Sequence, residues 1–62
     1  MNISDLTIGD IVDACIEGEG NYRLMITEIG EKFVYGVGSD NEEYAVEPRG
    51  EIERVIANIN EL

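Results

Sequence analysis

Catalysis has few residues to rest on in a chain of 62 that contains no histidine. The only thiol, Cys15, has no imidazole to serve as its base, and it alternates with apolar positions beside a hairpin signal, which reads as an inert small side chain. Ser4, Thr7, Thr27 and Ser39 read as cap, turn and strand hydroxyls. Paired carboxylates can do acid and base work, but only in a pocket that drives their pKa values apart, and so short a chain has little room for one. Structural zinc asks for cysteine and histidine together. The acidic runs Glu17-Gly18-Glu19-Gly20-Asn21 and Asp40-Asn41-Glu42-Glu43 carry oxygen ligands but lack the spacing and central glycine of an EF-hand loop, so both read as solvated turns. The expectation is a protein that is no enzyme and holds no cofactor or metal.

Charge remains as the chemical feature. Fourteen acidic residues stand against four basic ones, for a net charge of −10 at neutral pH. A surface of that sign repels phosphate and attracts a basic protein surface, so nucleic acid is an unlikely partner. The carboxylates placed to meet such a partner are Glu17 and Glu19 in one loop, and Asp40, Glu42, Glu43 and Glu47 around another. Tyr22, Phe33, Tyr35 and Tyr44 are all expected to serve the core first, with Tyr22 and Tyr44 the ones expected to show an edge to solvent beside these carboxylates. Solubility alone would also account for the acidity. Crowded carboxylates should titrate above their unfolded values and favour the fold as pH drops modestly below neutrality.

The elements that must carry these residues follow from periodicity. Val12, Ala14 and Ile16 alternate with Asp13, Cys15 and Glu17 after Gly9-Asp10, the two-residue repeat of a half-buried strand that starts near Asp10. Glu17 to Asn21 reads as a hairpin loop. A second strand is expected from Tyr22 to Ile29 with Leu24 and Ile26 inward, and the step of three to Ile29 points to a bulge. Beyond Gly30-Glu31, Phe33, Tyr35 and Val37 alternate with Val34 and Gly36 in a third strand. A fourth, Glu42 to Glu47, follows the Gly38–Asn41 turn and ends before Pro48, which has no amide hydrogen for a ladder. Ile52, Val55, Ile56, Ile59 and Leu62 then fall on one face of a short helix.

Loops of two to five residues exclude parallel crossovers, so the strands form an antiparallel meander. The expected fold is mainly β: a small antiparallel meander of four to five strands that curls on itself toward a barrel, with a short C-terminal helix closing its open end, in one domain over residues 1–62. The apolar share of 44% is that of a globular chain rather than an acidic tail. No apolar run approaches the roughly 20 residues of a membrane span, and Met1 to Asp5 has no signal-peptide character. With its single unpaired cysteine, the chain is expected in the cytoplasm.

Gly9, Asp10, Ala14, Gly18 and Gly20, Tyr22, Leu24, Ile26, Ile29, Val34 and Val37 together resemble the Tudor-type, SH3-like small barrels, over Leu6 to Val55. That resemblance implies the scaffold and, in its methyl-lysine and methyl-arginine readers, an aromatic cage over a cation. Tyr22 takes one cage position here, while the others fall on Ile16, Val37 and Asp40. A second stretch, Gly36-Val37, Ala45-Val46, Arg49, Glu51-Ile52 and Ile56, resembles the carbon storage regulator family of RNA-binding proteins, and implies an RNA-contacting role for Arg49.

The reading drawn from charge and size is an acidic, non-catalytic interaction module that docks on a basic protein surface. A phage-type regulator or nucleic-acid mimic would suit both features. The alternatives are an RNA-binding translational regulator and a Tudor-like reader of methylated peptides. The C-terminal apolar stripe is expected to leave the protein a monomer or a weak homodimer through its helix.

Overall fold

The alternation at Val12, Ala14 and Ile16 builds an interior strand of the computed structural model, which describes residues 1–62. Five strands form: β1 (Asp10–Ile16), β2 (Gly20–Ile29), β3 (Val34–Val37), β4 (Glu43–Val46) and β5 (Ile52–Asn58). A single helical turn, α1 (Pro48–Glu51), lies between the last two, and 3-10 turns occupy Ile3–Asp5 and Ile59–Glu61. All pairings are antiparallel, in the order β4-β3-β2-β1-β5. The first four strands are the expected meander, and β5 returns to the free edge of β1. β4 and β5 are the two edges of the sheet and do not pair with each other, so the sheet is open, not a closed barrel.

One face of the sheet holds the core. Val12, Ala14 and Ile16 from β1, Leu24 and Ile26 from β2, Val34, Val46 and Ile52 are buried there, with Leu6 over them. Ile3, Tyr22, Ile29 and Tyr44 pack at its margin. Val34 and Gly36, not the aromatic residues, face inward from β3, leaving Phe33 40% exposed and Tyr35 half-buried on the other side. Glycine suits this register: a Cβ on Gly36 would lie 3.0 Å from the Leu24 Cβ and 3.1 Å from the Met25 carbonyl oxygen, so a side chain there would press on β2 and force it to shift. The bulge expected before Ile29 is present, with Thr27 skipped between the pairs Ile26–Gly36 and Glu28–Tyr35.

The C-terminal helix is replaced by β5. Two register shifts against β1 leave Glu53 and Ile56 as extra residues in β5, so Ile52, Val55 and Asn58 share a face. Each bulge lengthens the strand's two-residue repeat to three, which imitates the period of a helix. Tertiary pairing then decides the outcome, because β1 needs a partner on its second edge and β-branched Ile52, Val55 and Ile56 suit a strand.

Asp10 anchors this return. It is buried, and its carboxylate accepts from the Thr7 amide at 2.8 Å and from Asn58 Nδ2 at 2.9 Å, tying the entry to β1 onto the end of β5. Gly9, at φ 96°, lets its own amide reach the Ile26 carbonyl and its carbonyl accept from Ile59, both at 2.8 Å. The Gly9-Asp10 pair is therefore the knot that joins β2, β1 and β5.

Candidate functional site

All the expected partner-binding residues but Glu19 fall into two groups. In the first, the loop from β3 to β4 folds back on itself: Gly38 donates to the Glu42 carbonyl at 3.1 Å, Asn41 donates to the Gly38 carbonyl at 3.0 Å, and Asn41 adopts φ 64°. Asparagine tolerates that left-handed conformation better than most residues. Asp40 closes the loop, its Oδ1 accepting from the Glu42 amide at 3.0 Å and its Oδ2 accepting from the Tyr44 hydroxyl at 2.5 Å. The Tyr44 ring meets that of Tyr22 with centroids 4.8 Å apart and planes inclined by 33°. Both rings are half-buried against the core margin while Asp40, Glu42 and Glu43 are exposed. Residues from the start of β2, the β3–β4 loop and β4 thus form one corner of two tyrosines and one fixed carboxylate, with two further carboxylates close by in the chain.

Electrostatics in this corner are reciprocal. The hydrogen bond from Tyr44, helped by the Glu42 amide, holds the Asp40 carboxyl below the usual aspartate range. The same bond to Asp40, followed by partial desolvation and the Asp40 charge, pushes the Tyr44 phenol far above its ordinary value. Asp40 is consequently ionised, and Tyr44 a fixed donor, throughout the neutral range.

The second group lies at the other side of β1. Glu17 and Glu47 line one shallow depression together with Cys15, Gly50 and Glu51. Glu51 organises it: one oxygen accepts from the Glu47 amide at 2.7 Å and the other from the Glu17 amide at 3.4 Å. A side chain from the end of α1 thereby satisfies the orphan amide at the start of that turn and reaches the β1–β2 loop. Glu19 stays apart at the hairpin tip, where its amide donates to the Ile16 carbonyl at 3.0 Å.

Asp13 was no candidate by sequence, yet it gathers half of the four basic residues of the chain. Its Oδ1 lies 3.2 Å from Arg23 Nε, and its Oδ2 lies 2.9 Å from an Arg54 terminal nitrogen and 3.0 Å from Arg54 Nε. Desolvation pushes this carboxyl up, but the hydrogen bonds and charges of the two arginines outweigh it, and the net shift is downward. Asp13 and Asp40 thus both move opposite to the upward shift expected from crowding, because local donors override the diffuse repulsion of distant carboxylates. The pairing of β1 with β2 could have flagged Asp13 and Arg23, which sit opposite each other in the hairpin; Arg54 could not be placed without β5.

No three histidine, cysteine, aspartate or glutamate side chains are gathered so as to share a metal ion. No helix is long and apolar enough to cross a membrane. Set beside known proteins, the chain matches no family model, no curated protein and no solved structure. The residues themselves therefore carry the functional argument.

Proposed function

We propose that this protein is a non-catalytic interaction module that receives an arginine side chain of a basic protein segment at the corner of Tyr22, Tyr44 and Asp40. The observation that carries this reading is the convergence of two tyrosine rings, 4.8 Å apart, on a carboxylate already fixed by one of their hydroxyls. A guanidinium can lie on a tyrosine face while its N–H groups meet the free lone pairs of Asp40. Glu42 extends the negative field along the partner, Glu43 adds charge from the other face of β4, and the net charge of −10 steers the approach. A quaternary methylammonium would want aromatic walls on three or more sides. Phe33 and Tyr35 lie toward the opposite end of β3 from the Tyr22 corner, so a guanidinium fits this corner better than a methylated lysine.

The Tudor-type reading of the scaffold draws support from the four-strand meander and from β5 returning to β1, here laid out as an open sheet. On that scaffold the acidic loops act as the docking surface, and the Glu17–Glu47 depression is a secondary contact.

Titration of an arginine-rich peptide, a lysine-rich peptide of equal charge and an RNA oligonucleotide, followed by amide NMR shifts, tests this. The arginine peptide should bind most tightly, perturb residues 22 and 38–44, and weaken as salt rises. Asp40→Asn should cost about tenfold in affinity, while Glu19→Gln, which removes equal charge at the hairpin tip, should cost about twofold or less. Equal losses for both variants would reduce the site to diffuse charge. Binding of RNA in preference to either peptide would replace the proposal with the nucleic-acid alternative.

A further inference from the structure

The face of the sheet turned away from the core has the wrong composition for a solvated surface. An antiparallel sheet with one wet face alternates apolar residues inward with polar residues outward. Cross-strand pairing instead aligns Val37, Met25, Ile11 and Ala57 in one row that crosses β3, β2, β1 and β5, and ends on Glu43 of β4. All four apolar members of this row are half-buried in the single chain. Tyr35 and Ala45 extend it on the next level toward the Gly9 end of β1.

The charges bordering the row are unequal. On one side lies Arg23–Asp13–Arg54, again one row by pairing, with the arginine side chains 66% and 72% exposed. On the other side Glu28, exposed, stands opposite Tyr35. This face thus carries two arginines around one aspartate along one border and a single exposed carboxylate, Glu28, along the other.

We infer that this face is the interface of a homodimer, in which the row Val37–Met25–Ile11–Ala57 packs on itself about a two-fold axis running along it. The symmetry places Arg23 of one copy over Glu28 of the other, twice, since an isologous contact repeats each pair. The apolar rows meet as in a two-sheet sandwich. A second copy is the occupant that supplies a matching apolar row and the reversed charge order together. Size favours the face over an edge: the molecule measures 31 × 25 × 17 Å, so only a broad face approaches the roughly 800 Å² per partner of a standard interface. The free edge of β5 is further unsuited to strand addition by its two bulges. The dimer is weak, because the area is at the low end and both copies carry −10.

Sedimentation equilibrium on the intact chain, from low micromolar to near-millimolar concentration at moderate salt, should show reversible dimerisation. Met25→Glu should give monomer at every concentration with little change in melting temperature. Glu28→Arg, at a residue with no ion pair within the chain, should weaken the dimer about tenfold, and adding Arg23→Glu to it should recover most of that loss. Ile56→Glu, at a bulge on the β5 edge, should leave the dimer intact. The inference fails if the intact chain stays monomeric throughout, if the charge reversal is not rescued, or if Ile56→Glu abolishes the dimer and Met25→Glu does not.

Discussion

Replacing Glu51 sets two physical readings of the acidity against each other. The net charge falls from −10 to −9 in Glu51→Ala, so a fold dominated by carboxylate repulsion should gain stability. Glu17 and Glu47 share the depression with Glu51, and a like charge about 10 Å away in water costs about 0.4 kcal/mol before screening, so the relief is at most about 1 kcal/mol at low salt. Against it stands the clasp, with its short bond of 2.7 Å to the Glu47 amide and its longer one of 3.4 Å to the Glu17 amide. Hydrogen bonds to a charged acceptor contribute about 1.5–3 kcal/mol when well buried. Glu51 is only half-buried and the second bond is long, so about 1–2 kcal/mol is the fair loss, similar to removal of a helix cap. For a domain of this size each kcal/mol moves the melting temperature by about 4–8 °C. At moderate salt, where repulsion is screened and the clasp is not, Glu51→Ala should therefore melt about 5–10 °C below the parent. Glu19→Ala, which removes the same charge from the hairpin tip, should melt at or slightly above it. Circular dichroism melts of the three proteins at low and moderate salt are sufficient. A melting temperature for Glu51→Ala equal to or above the parent at both salts would refute the clasp and return the acidic surface to the role of diffuse repulsion.

Gly9→Ala should destabilise by about 1–3 kcal/mol, since a left-handed backbone costs an L-residue about 1–2 kcal/mol and the new Cβ would press on Asn60 and Ile59 at 2.9 and 3.0 Å; urea unfolding measures it, and a loss under about 0.5 kcal/mol would show that the knot at Gly9 relaxes freely. Asp13 and Asp40 both titrate below their ordinary value of 3.8, so the stability they contribute is present above that value and is lost as pH falls through their depressed folded values. Stability should accordingly fall on acidification below about pH 4. Carboxyl NMR should find the Asp40 midpoint below 3.8 and see it rise in Tyr44→Phe, and an unmoved midpoint would remove Tyr44 as its cause.

Much of the sheet was legible because it depends on local rules. The two-residue alternation in β1 and β2, the turn residues between them, the bulge before Ile29 and the stop at Pro48 are properties of short segments, and the structure follows them. The acidic loops were legible for the same reason, since charge in a turn stays in solvent wherever the turn is placed. β5 and the orientation of β3 were not. Ile52, Val55 and Ile56 satisfy a helical period and a doubly bulged strand equally well, and only the unpaired edge of β1 chooses between them. Phe33 and Tyr35 are as plausible in the core as Val34, and the pairing of β3 with β2 and β4, which sets Gly36 close against Leu24, turns the valine inward. The candidate site divides in the same way. Tyr22, Asp40 and Tyr44 could each be named from residue type, but their convergence spans the start of β2, the β3–β4 loop and β4, and exists only once β2, β3 and β4 have paired. Composition determined the sign of the surface, and local pattern determined where strands begin and end. Which face each strand buries, and which distant side chains meet, were decided by long-range pairing, because those contacts form only when the whole sheet closes around its one small core.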